Sequence, residues 1–198
     1  MNTAFNTYMA SEGMDTIRRL CLQKGTLLRL SPKAWLCRTG EVYPYIAYVK
    51  EGLLRHTCPH PRNDRNCSVG FAFEKELVAD YPSCLYAQPS ETGIQAVTAC
   101  TLLRLPTEEL LRFITQERDG DRLARRWTEG LFVQVYRRLL DTYRKSVEER
   151  YSELMSRCPR LTETLTLKEI ASYLNVTPET ISHIRRRLLA DEQHHEHI

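Results

Sequence analysis

The chain lacks an apolar run of membrane-spanning length, and Met1 to Asp15 are polar where a secretory leader carries a basic stretch followed by an apolar one. Both absences lead to the expectation of a cytoplasmic protein with no membrane partner. An excess of one charge is missing too: 28 Lys and Arg stand against 25 Asp and Glu, a formal net charge of +3. Binding to a polyanion therefore has to be argued from local clustering. The seven cysteines (Cys21, Cys37, Cys58, Cys67, Cys84, Cys100, Cys158) form an odd, widely spaced set without a CxxC pair, which argues against a disulfide framework and a structural zinc motif. No phosphate-binding glycine loop, dinucleotide fingerprint or Ser-His-Asp pattern occurs, so no enzyme is expected.

With 42% hydrophobic residues in 198, the chain can bury one or two cores. Asp15 to Cys21 reads as a short helix with Ile17, Leu20 and Cys21 on one side. Short strands punctuated by turns follow, at Thr26–Leu30, Ala34–Cys37, Tyr45–Lys50, Leu53–Cys58, Cys67–Phe73, Gly93–Thr98 and Cys100–Leu105. Regular spacing of this kind predicts a sandwich or jelly roll. From Thr107 the pattern turns helical, with a short helix through Phe113 and a long one over about 121–145. The fold class is therefore α+β, divided as 1–106, 107–145 and 146–198.

In the long helix Leu123, Trp127, Leu131, Val135 and Leu139 descend in steps of four, beside a second row of Phe132, Tyr136, Leu140 and Tyr143. So broad a stripe has two surfaces to cover, the barrel and a second copy of the helix. Leu123, Trp127, Gly130, Leu131 and Gln134 are the expected homodimer contacts, Gly130 allowing a partner helix close approach. Ser146 and Glu149 form a capping box that opens a further helix over 147–157.

The C-terminal stretch carries the clearest motif. Thr166 and Glu169 form a capping box ahead of Leu167, Ile170, Ala171 and Leu174; Asn175 suits a left-handed turn; Thr177-Pro178 starts a second helix. Ile181, Ile184 and Leu188 share its inner face. That spacing is a helix-turn-helix, and it implies double-stranded DNA as the partner. Glu179, Ser182, His183 and Arg186, together with Pro178, fall on the outer face and are the expected base readers. Thr166, Lys168, Thr177, Thr180, Arg185 and Arg187 are the expected phosphate contacts.

A polar loop over 56–67 collects His56, Cys58, His60 and Cys67, all ligand types for a soft metal, and Cys58-Pro59 has the Cys-Pro form found at regulatory haem sites. The plain alternative is a solvated hairpin tip whose prolines make turns. A cupin-like metalloenzyme would want more histidines than the two the barrel segment holds.

Short-stranded barrel, long helix and C-terminal helix-turn-helix together resemble the Crp/Fnr family of bacterial transcription regulators, most closely its Bacteroidetes branch. The motifs that carry the resemblance are residues 165–174, 176–182, 184–188 and 148–151, with weaker matches at Gly40-Glu41, 49–55, 77–81, 88–90 and 94–96. The resemblance implies a cyclic-nucleotide-binding-like jelly-roll barrel, a dimerisation helix and a winged-helix-like reader working as a homodimer on palindromic DNA. RNA polymerase and an unknown small-molecule effector are the further partners it implies. It also assigns base reading to Glu179, Ser182 and His183. His183 stands where the family usually has arginine, and a neutral histidine offers guanine one donor instead of a fork.

Lys75-Glu76 stands where nucleotide-binding members have Gly-Glu, and Pro89-Ser90 where they have Arg-Ser. Without that arginine and glycine, cyclic AMP is not expected, although Glu76 and Ser90 remain the candidate effector pocket. Only Cys21 and Cys37 lie in the N-terminal region where iron–sulfur relatives cluster their cysteines. No cofactor is expected, with haem or a metal at 56–67 as the alternative. An effector-independent architectural DNA binder is the alternative function.

Overall fold

The computed structural model describes residues 5–60 and 66–195, which form two compact units, Asn6–Tyr136 and Arg137–Ile198, the second taking in Phe5. The first unit opens with a 3₁₀ turn, Thr7–Ala10, and helix α1, Met14–Lys24. Eight strands and a short helix follow: β1 Thr26–Leu30, β2 Trp35–Cys37, β3 Tyr45–Glu51, β4 Leu54–Pro59, β5 Asn66–Ala72, β6 Leu77–Val78, α2 Tyr81–Tyr86, β7 Gly93–Ala96 and β8 Cys100–Pro106. They pair antiparallel in two four-stranded sheets, ordered β1-β8-β3-β6 and β2-β7-β4-β5. This is the jelly-roll sandwich that the strand spacing predicts.

Strand alternation supplies its interior. Ala47, Val49 and Leu102 from one sheet meet Leu36, Leu54, Ile94 and Ala96 from the other in a single buried cluster. A second cluster covers the outer side of the β1-β8-β3-β6 sheet. There Ile17 and Leu20 of α1 pack with Tyr48, Leu105, Leu110 of α3 (Thr107–Gln116) and Trp127 of α4 (Gly120–Arg144).

The sequence pattern does not announce β6 or α2. Two residues are too few to show alternation, and α2 is marked only by its start, where the Asp80 carboxylate accepts from the Ser83 amide at 3.1 Å.

The second unit contains the end of α4, α5 Val147–Arg157, α6 Leu161–Thr164, α7 Leu167–Tyr173 and α8 Pro178–His195. Among the described residues it has no strand, so none flanks the helix-turn-helix. The division between the two units falls inside α4, between Tyr136 and Arg137. A local contact explains it: Arg138 lies over the Tyr173 ring, 4.0 Å from its centre, and donates to the Tyr173 carbonyl at 3.0 Å, tying the last turns of α4 to α7. The capping box at α5 forms as predicted, with the Ser146 hydroxyl accepting from the Glu149 amide at 3.2 Å and the Glu149 carboxylate accepting from the Ser146 amide at 2.7 Å.

Candidate nucleic-acid interface

At the start of α7 the Thr166 hydroxyl accepts from the Glu169 amide at 3.3 Å, and the Glu169 carboxylate accepts from the Thr166 amide and hydroxyl, both at 2.9 Å. The orphan amides of the helix start are thereby satisfied from within. Asn175 then takes a left-handed φ of 58°, and the Val176 amide closes back on the Ala171 carbonyl at 2.9 Å. The Thr177 hydroxyl accepts from the Thr180 amide at 3.3 Å, and α8 begins at Pro178. Arg150 of α5 braces this turn by donating to the Leu174 carbonyl at 3.2 Å.

Ile181 and Ile184 are buried with Ile170, Ala171, Leu174 and Leu154 in the core of this unit. That leaves the opposite side of α8 to solvent: Glu179, His183 and Arg186 are exposed, and Pro178 and Ser182 half-buried. The four predicted readers therefore share one face of α8. Arg186 ties them together, donating to the Ser182 carbonyl at 3.4 Å and lying 3.2 Å from His183 Nδ1. The amide at the helix start and the Thr177 hydroxyl hold the Glu179 carboxyl below its usual range, so it is ionised at neutral pH and accepts hydrogen bonds only.

The predicted phosphate contacts divide. Lys168 and Arg185 are exposed cations. Thr166 and Thr177 are exposed, but their hydroxyls already serve the helix starts, and the half-buried Thr180 shares its hydroxyl with Thr177 at 3.2 Å. Arg187 is ion-paired with Glu148 of α5. That carboxylate lies more than twenty residues away in sequence, so no pattern in α8 announces it.

In the first unit the two predicted effector residues are each bonded to their own neighbours. Glu76 is buried and accepts from Asn6 Nδ2 at 2.6 Å and the Phe73 amide at 2.9 Å; burial pushes its carboxyl up to about 7 against those bonds. Ser90, also buried, donates to the Thr92 carbonyl at 2.5 Å. The group that sequence reasoning missed is Asp80, which caps α2 and accepts from the Thr92 hydroxyl at 2.6 Å.

The metal expectation at the hairpin is corrected as well. Among the described residues no three His, Cys, Asp or Glu side chains are grouped to hold an ion, so His56, Cys58, His60 and Cys67 do not form a ligand set. The register shift between His56 and Thr57 interrupts the alternation that would have aligned them. Burial pushes His56 down to about 4, with the negative charge of Asp80 opposing it.

The five expected dimer contacts prove to serve their own chain. Trp127 is buried in the α1–α3 cluster, and Leu123 packs at Gly13. Gln134 accepts from the Thr7 hydroxyl at 2.9 Å and the Tyr8 amide at 3.3 Å, and donates to Asn6 at 3.2 Å. A Cβ at Gly130 would lie 3.3 Å from Ser11 Cβ and closer still to its hydroxyl, so this glycine gives the N-terminal segment room to approach α4. Leu131 lines an apolar cavity of about 90 Å³ with Ile17, Tyr81, Cys84, Leu110 and Trp127. Exposed on α4 are Phe132, Val135, Tyr136, Leu139 and Tyr143, at i, i+3, i+4, i+7 and i+11.

No protein-family model matches the sequence, and no curated protein matches it at a significant level. Solved structures do match its shape. FixK2 from Bradyrhizobium japonicum superposes with a TM-score of 0.75 at 15% identity, over 85% of this chain and 86% of that one. A cyclic nucleotide-binding domain containing protein from Listeria monocytogenes gives 0.66 at 16% identity, over 91% and 92%. A CRP/FNR-family transcriptional regulator from Thermus thermophilus gives 0.64 at 16% identity, over 84% and 87%. The chain has the Crp/Fnr fold. At these identities the likeness is one of fold, and it spans both units: the Crp/Fnr barrel, the long helix and the helix-turn-helix are each matched by elements described above.

Proposed function

We propose that the chain is a non-enzymatic, sequence-specific DNA-binding transcription regulator that acts as a homodimer on palindromic sites. The observation that carries this reading is the outer face of α8, where an ionised Glu179, Ser182, His183 and Arg186 stand free of the core at the end of the helix that enters the major groove in helix-turn-helix proteins. Lys168 and Arg185 supply the sequence-independent attraction to phosphates, with Arg187 contributing once its pair with Glu148 opens. The fold shared with a CRP/FNR-family transcriptional regulator supports the same reading.

The dimer seam is the exposed row Phe132, Val135, Tyr136, Leu139 and Tyr143, whose heptad-like spacing suits a parallel pair of α4 helices. RNA polymerase is the further partner of a regulator of this kind. Among the described residues no helix is long and apolar enough to cross a membrane.

The cavity beside Trp127 and Leu131 is the seat proposed for a small apolar effector, because α4 forms its wall and continues into the unit that reads DNA. A second reading, an effector-independent architectural binder, is favoured by Lys75 and Pro89 standing where nucleotide-binding members have glycine and arginine. Genome-wide occupancy separates the two. Discrete palindromic sites support the regulator, and diffuse occupancy supports the architectural protein.

A further inference from the structure

The seven cysteines fall into two classes. Cys21, Cys37, Cys84, Cys100 and Cys158 are buried, whereas Cys58 and Cys67 are half-exposed. Burial pushes Cys21 up to about 12 and raises Cys37, Cys84 and Cys100 as well, which keeps those four as unreactive thiols.

The two accessible cysteines face each other. Cys58 on β4 and Cys67 on β5 are Cα partners in the antiparallel register, next to the pair Thr57–Ser68. Thr57 and Ser68 are each 1% exposed. Alternation along both strands therefore sends Cys58 and Cys67 together to the opposite face. Opposed residues in an antiparallel pair have Cα atoms about 4.5–5.5 Å apart, inside the span of about 4.4–6.8 Å that a disulfide bridges. A metal site would need a third ligand, which the described residues do not supply; a disulfide needs only these two.

We propose that Cys58 and Cys67 form a reversible oxidation site, a dithiol–disulfide couple that cross-links β4 and β5 at the loop end of their hairpin. With a hydroperoxide as oxidant, the sulfur of one cysteine attacks the O–O bond, becomes a sulfenic acid and releases water or the alcohol. The second thiol then attacks that sulfur, its proton leaving with the hydroxyl as water. Two thiols and one peroxide thus give one disulfide and, for hydrogen peroxide, two waters. Exchange with a dithiol reductant restores both thiols, and an accessible bond of this kind is among the more easily reduced ones. β5 is the edge strand of its sheet, anchored at its far end by the buried Phe71 and Ala72 and by Asn6 Nδ2 donating to the Phe71 carbonyl at 2.8 Å, so oxidation adds a covalent tie to β4 at the other end.

Trypsin cuts after Arg55, Arg62, Arg65 and Lys75, which places the two cysteines on separate peptides. The reduced full-length protein is exposed to hydrogen peroxide, blocked with N-ethylmaleimide and digested without reduction. The expected product is peptide 56–62 joined to peptide 66–75, two hydrogens lighter than their sum and released by dithiothreitol, with the five buried cysteines unchanged. Cys58→Ser, checked for native circular dichroism, should abolish the link and leave Cys67 as a sulfenic acid that dimedone traps. Recovery of both cysteines as maleimide adducts after excess peroxide, or linkage of either to any other cysteine, overturns the proposal.

Discussion

On the outer face of α8, Arg186 Nη2 lies 3.2 Å from His183 Nδ1, one helical turn away. A guanidinium can only donate, so the pair assigns Nδ1 as acceptor and the ring proton to Nε2. His183 then has one N–H, at Nε2, to offer on the exposed face that also carries Glu179 and Arg186.

Substitution should separate readers from anchors. Glu179→Ala or Arg186→Ala is expected to cost about 1–3 kcal/mol on the preferred site and to relax base preference there. Arg185→Ala should weaken all DNA alike and lower the salt slope by about one; Arg187→Ala should do so less, because Glu148 already engages that side chain. Fluorescence anisotropy on specific and scrambled duplexes at several salt concentrations measures both.

The two sides of α4 should behave oppositely. Leu139→Glu places a charge on a residue 51% exposed and is expected to yield a folded monomer by sedimentation. Trp127→Ala should instead remove about 3–5 kcal/mol of stability from the first unit, seen in thermal unfolding, with the dimer seam intact.

Two groups, the buried Glu76 and the half-buried His56, have opposing linkages to pH. Glu76 is raised to about 7, so between its unfolded value of 4.5 and 7 the folded state holds a proton that the unfolded chain has lost, and stability falls as pH rises. His56 is depressed to about 4 from 6.5, so across that interval the unfolded chain holds the extra proton and stability rises with pH. Each slope approaches 1.4 kcal/mol per pH unit, and the two nearly cancel between pH 5 and 6.5. Relative to the parent protein, Glu76→Gln should gain a rising slope in that window and His56→Gln a falling one, measured by urea unfolding. Parallel curves for parent and variants would contradict the burial of both groups.

The cavity at Trp127 should admit a small apolar probe. Toluene is expected to raise the unfolding temperature saturably, and Ala79→Leu, which fills the wall, to abolish the rise. An identical response in both proteins would contradict a cavity site.

Much of this architecture was legible because short-range rules governed it. The seven predicted strands are all present within about one or two residues at each end, and the capping boxes at Ser146 and Thr166 form as their spacing requires. The α8 face was legible for the same reason, since helical periodicity alone separates Ile181 and Ile184 from Glu179 and His183. What escaped depends on partners far away in sequence. Gln134 and Gly130 fit a dimer seam until Asn6, Thr7 and Ser11, more than a hundred residues earlier, occupy that side. Glu76 and Ser90 were found by their place in a cassette that this chain only partly keeps, while Asp80, which accepts from the Thr92 hydroxyl twelve residues on, lies outside that pattern.

The central claim, that the outer face of α8 reads sequence as one half of a dimer, is tested most directly by selection of bound duplexes from random DNA with the purified protein. Enrichment of an inverted repeat, with half-site centres about one helical turn apart and a base preference that Glu179→Ala relaxes, is the predicted result. Binding of comparable strength to all duplexes, unaffected by Glu179→Ala, would contradict it.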